Sequence, residues 1–196
     1  MKTINLRDEN YNWKCYEYME LSDLEVQLKK NRVSIGNKAS IGDGASIGSR
    51  VSIGNDVIIG DEASIRYGTS IGNKVNIGDD VSIGDDVSIG YGTRIGNKAS
   101  IGDGANIGYD VNIGDDVNIG YGTRIGNDVN IGDEASIGSR VSIGNDVNIG
   151  DDVNIGDEAS IGDDVSIGDN VNIGYGASIK KYKQYILIAE KFAKIK

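Results

Sequence analysis

Isoleucine stands at every sixth position from Ile35 to Ile179 without a miss, and a phase that never slips constrains the fold before any other residue is read. Six matches neither the 3.6 of a helix nor the bare alternation of a long strand. The unit therefore joins one short strand to one corner. In Val33-Ser34-Ile35-Gly36-Asn37-Lys38, strand alternation sends Val33 and Ile35 to one side and Ser34 to the other. Gly36 is expected to turn the corner with a positive φ, and the Asn or Asp beside it tolerates the left-handed region and bonds its own backbone. A chain of such units closes into coils. Ile and Val, Ala or Thr point inward, and successive coils pair as parallel ladders about 4.8 Å apart.

Residues Val33 to Ile179, about three quarters of the 196-residue chain, resemble the hexapeptide-repeat family. That family's pattern is aliphatic, Gly, two variable residues, a small or branched residue, and one more variable residue. Ile35-Gly36-Asn37-Lys38-Ala39-Ser40 fits every slot. The resemblance implies an all-β solenoid: a left-handed parallel β-helix of triangular section with three units per coil, a known exception to the right-handed crossover rule. Ile35 to Ile179 spans 144 residues, which at 18 per coil gives 8 coils and about 38 Å of axis. Only Arg66, after Ile65, and Lys180, after Ile179, break the Gly column. Each coil is filled by its own side chains, so no cofactor-sized cavity is expected inside. The zero Pro count fits strands that need their ladder N–H groups.

The ends do not repeat. Residues 1–32 carry Tyr11, Trp13, Tyr16 and Tyr18 and the alternating Leu24-Glu25-Val26-Gln27-Leu28, which predicts a strand leading into the first coil within an N-terminal cap. Residues 33–180 form the solenoid. Residues 181–196 place Tyr185, Ile188, Ala189 and Phe192 at helical spacing, an amphipathic helical cap by pattern, with Tyr185 to Ile188 alternatively a terminal strand. Either form would cover the last coil and block end-to-end strand addition.

Charge and composition narrow the function classes. Thirty acidic against twenty basic groups give a formal charge of −10, which disfavours nucleic acid as a partner. No apolar run is long enough for a membrane span, and Met1-Lys2-Thr3-Ile4-Asn5 lacks a signal-peptide core, so a cytoplasmic location is expected. Cys15 is the sole cysteine. It is expected to be a packed thiol among the N-terminal aromatics rather than a nucleophile, since the sequence holds no His to activate it.

The missing His bears on catalysis too. Resemblance to hexapeptide acyltransferases would imply a His general base and an acyl-coenzyme A or acyl carrier protein bound between neighbouring subunits. The carbonic anhydrases of this fold bind zinc through three His. With no His in the sequence, neither set of residues maps onto this chain, and no catalytic, cofactor-binding or zinc residue is assigned. General base work could in principle fall to a carboxylate with a raised pKa, yet the repeat's acids fall in corners where solvent is expected to keep them ionised and weakly basic.

Residues 18 apart become vertical neighbours, and that stacking yields the candidate surfaces. One corner gathers Asp43, Asp61, Asp79, Asn97, Asp115, Asp133, Asp151 and Asp169, with Glu62, Asp80, Lys98, Asp116, Glu134 and Asp152 beside them. Solvated turns explain this edge. A calcium ladder through Asp115, Asp133 and Asp151 is the alternative, although single carboxylates at coil spacing do not converge as calcium prefers. Tyr67, Tyr121 and Tyr175 share another corner, and Tyr91 and Tyr109 the third. They are candidate interface anchors, or else covers for the small residues that follow them. Arg94, Arg124 and Ile58 stand at outward strand positions among Ser and Asn and join the candidate interface.

The expected function is a non-catalytic structural or scaffold solenoid without cofactor. By family resemblance it is a homotrimer, with no nucleic-acid, membrane or identifiable small-molecule partner. An acyltransferase-like enzyme with unconventional residues is the alternative. Ice binding by the flat periodic faces is a lesser one, as Thr occurs in the repeat only at inward Thr69, Thr93 and Thr123.

Overall fold

The computed structural model describes residues 2–7 and 12–180. From Ser34 onward each hexapeptide contributes one short strand, from β3 (Ser34–Ile35), β4 (Ser40–Ile41) and β5 (Ala45–Ile47) to β27 (Ser178–Ile179). Every third strand pairs in parallel, Ile over Ile, as Ile53 under Ile35 and Ile59 under Ile41. Three sheets of ten, eight and nine strands result, forming a three-sided parallel β-solenoid of about eight turns. They are called here the hairpin face (outward Ser46, Ser64, Ser82), the asparagine face (Asn76, Arg94, Asn112, Asn130) and the serine face (Ser52, Ser70, Ser88).

The interior is the one the period predicts. Ile107 is 1% exposed while Asn106 beside it faces solvent. Thr69, Thr93 and Thr123 are fully buried, and each hydroxyl donates to a carbonyl of the next coil, that of Gly84, Gly108 or Gly138, at 2.9–3.1 Å. A buried hydroxyl with a partner is tolerated where an orphaned one would not be.

The corner works differently from the sequence expectation. Gly36 is not among the residues with positive φ. The left-handed residue is the second of the turn, Lys38, Asp56, Glu62 and their equivalents, at φ between 54 and 60°. Glycine after each Ile is required instead by the neighbouring coil: a Cβ on Gly36 would lie 2.4 Å from the carbonyl carbon and oxygen of Gly54. Close approach, not dihedral freedom, fixes the Gly column.

The N-terminal end closes with a hairpin and a helix. β1 (Lys2–Arg7) pairs in parallel with β5 and antiparallel with β2 (Trp13–Tyr18), extending the hairpin face. Then comes a 3-10 turn (Leu21–Leu24) and α1 (Glu25–Lys30), not the predicted strand. The Asp23 carboxylate accepts from the N–H groups of Met19 and Glu20, both at 3.0 Å, and starts the helical turns. The burial then follows a period of four: Leu24 and Leu28 are buried and Val26 is 75% exposed. Leu24 and Leu28 join the core cluster at this end of the coils. Cys15 is exposed on β2 rather than packed: its strand neighbours Lys14 and Tyr16 alternate away from it, and only Tyr18 of that strand is buried. The 181–196 segment, with the predicted cap, lies outside the described residues.

Candidate functional site

The acidic corner is first of all a hydrogen-bond ladder. The N–H of Asp43 donates to Oδ1 of Asp61, Asp61 to Asp79, Asp79 to Asn97, Asn97 to Asp115, Asp115 to Asp133, Asp133 to Asp151 and Asp151 to Asp169, at 2.6–3.1 Å. At the top, the N–H and hydroxyl of Thr3 both donate to Asp43, at 2.7 Å each. These bonds, with a further one from Gly44, hold the Asp43 carboxyl below the ordinary aspartate range. The left-handed residue that follows donates its N–H back to the preceding coil, as Asp80 does to Asp61 at 2.9 Å. A turn N–H without a strand partner must find an acceptor, and a short side chain with a terminal oxygen, Asp or Asn, supplies it one coil away.

The signal for this ladder was present in the sequence as the 18-residue recurrence of Asp or Asn, but charge alone cannot reveal it. Asn97 serves in the column as well as Asp does. The same bond runs in the other corners, from Asn37 to Asn55, Asn55 to Asn73 and Tyr109 to Asn127 on one and from Tyr67 to Asp85 and Asp85 to Asp103 on the other. Among the described residues, no group of three or more His, Cys, Asp or Glu side chains gathers as a metal site would require. Asp115, Asp133 and Asp151 are consecutive rungs, each with one oxygen engaged by the backbone.

The tyrosines flank one face. Tyr67, Tyr121 and Tyr175 lie on the corner between the hairpin and serine faces, and Tyr91 and Tyr109 on the corner between the serine and asparagine faces. For four of the five, exposure follows what stands 17 residues before them. The Arg50 guanidinium lies 5.4 Å from the Tyr67 ring, and Lys74 Nζ lies 5.2 Å from the Tyr91 ring. Tyr67 is half-buried and Tyr91 is 40% exposed. Gly92 and Gly104 precede Tyr109 and Tyr121 at that spacing, and these rings are about 60% exposed. The Tyr175 hydroxyl donates to Glu158 at 2.6 Å, and Glu158 also pairs with Arg140 at 3.2 Å. The Glu158 hydrogen bond raises the Tyr175 pKa.

Arg94 and Arg124 do not share a face. Arg124 projects from the serine face, between the two tyrosine corners. Arg94 projects from the asparagine face and heads a run of amide bonds: its Nη1 donates to Asn112 at 3.3 Å, Asn112 to Asn130 at 2.9 Å and Asn130 to Asn148 at 2.9 Å. Ile58, 52% exposed, lies on that face too.

The hairpin face carries the one internal break in the Gly column. A cleft of about 720 Å³ opens there, lined by Asn5, Arg7, Trp13, Ser46, Ser64, Arg66 and Asp85. The Arg7 guanidinium lies 5.6 Å from the Trp13 ring, and the Ser49 hydroxyl donates to the Arg7 carbonyl. Asp85 accepts from the N–H of Tyr67 at 3.0 Å.

Comparison with known proteins agrees with this geometry. A bacterial transferase hexapeptide (six repeats) model matches residues 146–181, and a model for the hexapeptide repeat of succinyl-transferase matches residues 50–78. No curated protein sequence matches the chain. Among solved structures, it is similar to the UDP-N-acetylglucosamine acyltransferase of Campylobacter jejuni, with a TM-score of 0.69 at 22% identity over 72% of this chain and 63% of that one. It is also similar to the UDP-N-acetylglucosamine O-acyltransferase of Moraxella catarrhalis, with a TM-score of 0.63 at 25% identity over 66% and 58%. The chain thus spans about three fifths of the length of these two enzymes. The chain thus carries the hexapeptide repeat that these two family models describe and shares the β-solenoid fold of these two enzymes.

Proposed function

We propose that this chain is a non-catalytic structural solenoid of hexapeptide-transferase type, a cytoplasmic protein assembled as a homotrimer through its tyrosine-flanked surface. The observation that carries the reading is the ladder of Asp and Asn side chains. In a sequence without His, the carboxylates are the most numerous candidates for a general base. In the column from Asp43 to Asp169 one oxygen of each already accepts a backbone N–H from the coil above. At Asp43, where the backbone and hydroxyl of Thr3 supply two such bonds, they favour the ionised form and weaken the group as a base. The inward burial of Thr69, Thr93 and Thr123 leaves the flat faces of the repeat without Thr and gives ice binding no support.

The similarity to solved enzymes titled acyltransferases favours a second reading, an acyltransferase-like enzyme with unconventional residues. An acyl-transfer assay separates the two. With acetyl-coenzyme A and sugar or amine acceptors, the structural reading expects no turnover above background. Turnover abolished by substitution of a single carboxylate would establish the enzyme instead. Sedimentation or light scattering of the purified chain tests the trimer, and a monomer at micromolar concentration would refute it.

A further inference from the structure

The N-terminal cap covers two of the three sheets and leaves the third open. On the hairpin face, β1 and β2 extend the sheet beyond β5. On the asparagine face, the carbonyl of Ile41, in the edge strand β4, accepts from Lys2 Nζ and from the Tyr18 hydroxyl, at 3.0 Å each. The serine face ends in β3. The Ser34 N–H donates to Val51 in the next coil, so by strand alternation the N–H and carbonyl of Ile35 point the other way, out of the end of the sheet. Among the described residues neither has a hydrogen-bond partner. Ile35 is also half-buried, where Ile53 beneath it is 2% exposed. It lacks the cover that each interior coil receives from the one before.

Beside this edge lies a cleft of about 460 Å³, walled by Leu21, Leu28, Val33 and Ile35, with Ser22, Glu25 and Lys29 along it. An unpaired strand edge next to an apolar groove suits strand addition, in which main-chain bonds hold an extended segment and the groove takes its side chains. The chain supplies such a segment outside the described residues. Tyr185-Ile186-Leu187-Ile188 is an unbroken apolar run, as a strand covered on both sides requires. It stands in a stretch, 181–196, with five lysines and one glutamate, while residues 1–180 hold fifteen basic and twenty-nine acidic groups, so stretch and solenoid carry opposite charge. Lys180 follows β27, the far edge of the same nine-stranded sheet, about 38 Å from β3. From Lys180 to Tyr185 an extended chain reaches at most about 18 Å. The run falls short of β3 in its own chain, so a second copy must receive it.

We propose that Tyr185 to Ile188 of one copy add as a strand to the β3 edge of a second copy, so that the solenoids associate head to tail. The Ile35 N–H and carbonyl gain main-chain partners, and the open side of Ile35 gains cover. Glu25 meets the lysines that flank the run, with Lys29 as the opposing charge on that wall. The run leaves from one end of the sheet and the receiving edge lies at the other, so the contact is heterologous and repeats from copy to copy. It is separate from the side-by-side contact through the tyrosines.

Sedimentation velocity of the full chain across micromolar concentrations tests this contact. The sedimentation coefficient of the native chain should rise with concentration. Leu187→Pro takes a ladder N–H from the run, and Ser22→Trp fills the cleft from an exposed position. Each alone should associate at least about tenfold more weakly. The two variants complement one another, since the first keeps an open cleft and the second an intact run. An equimolar mixture should therefore sediment faster than either variant alone. A trimer held through the tyrosines is common to all these chains and cancels in the comparison, so the stacking and the trimer fail separately. Constant sedimentation of the native chain, native-like association of either variant, or a mixture no larger than its components overturns the proposal and leaves the β3 edge to water or to a foreign peptide.

Discussion

Alanine placed in the same repeat slot should have opposite effects at two positions that differ only in what lies below them. At Gly114, a Cβ would lie 2.2 Å from Asp133 Oδ1 and 2.8 Å from both the Asp133 nitrogen and the Gly132 carbonyl carbon. Carbon atoms in good contact sit about 3.5–4.0 Å apart, so the coils must part locally or Asp133 must move. Overpacking of this kind costs about 1–3 kcal/mol. Displacing Asp133 also removes the bond from the Asp115 N–H, worth about 0.5–1.5 kcal/mol. Against this, Ala reduces the freedom of the unfolded chain and returns about 0.4–1 kcal/mol. The net expectation for Gly114→Ala is a loss near 2 kcal/mol, roughly 0.5 to 4 at the extremes.

At Gly168 no described atom lies within 4 Å of the added Cβ, and φ is not in the left-handed region. With no described atom in the way of the added Cβ, Gly168→Ala should be neutral or stabilising by up to about 1 kcal/mol. Urea denaturation followed by far-UV circular dichroism reads the difference. With a slope of about 2 kcal/mol per molar, the Gly114 variant should lose about 1 M in midpoint while the Gly168 variant loses none. Equal losses at both sites would refute the close-approach account of the Gly column and return the argument to backbone dihedrals.

Three further outcomes follow from the same geometry. Ile107→Ala should cost about 2–5 kcal/mol, whereas Asn106→Asp on the solvated face should change stability by no more than about 0.5 kcal/mol; comparable urea midpoints would contradict the inward and outward assignment. Asp133→Asn should leave stability nearly unchanged, because Asn97 fills the same rung, while Asp133→Ala should lose about 1 kcal/mol with the acceptor; saturable calcium binding by calorimetry that vanishes on Asp115→Asn with Asp133→Asn would instead make the ladder a cation site. Asp43 has a folded-state pKa below its unfolded value, so its contribution is complete above about pH 4 and is lost as pH falls through the folded value. Thermal melts between pH 2 and 5 should therefore show a shallower acid loss in Asp43→Asn than in the native chain, and an unchanged slope would disprove the role of the Thr3 contacts.

The fold was legible because the period belongs to the backbone: side-chain alternation fixed which residues point inward, and the 18-residue row fixed which stand over one another. Other features depend on contacts between coils that one repeat does not display. Lys38, Arg50 and Glu62 are not residue types that announce a left-handed backbone, yet they adopt it, because the Gly earlier in the turn is already committed to close approach. In the N-terminal cap, Leu24-Glu25-Val26-Gln27-Leu28 satisfies period two and period four together, and the Asp23 bonds to Met19 and Glu20 decide for helix. The acidic edge is the most instructive divergence. Summed as charges, its Asp and Asn read as a repulsive stripe awaiting a cation; bonded as they are, they complete the backbone of the coil above, and the negative charge accompanies that geometry. The same logic raises the weight of residues that serve no rung, no turn and no core position. Arg66, exposed at a position where the column otherwise holds Gly, is such a residue.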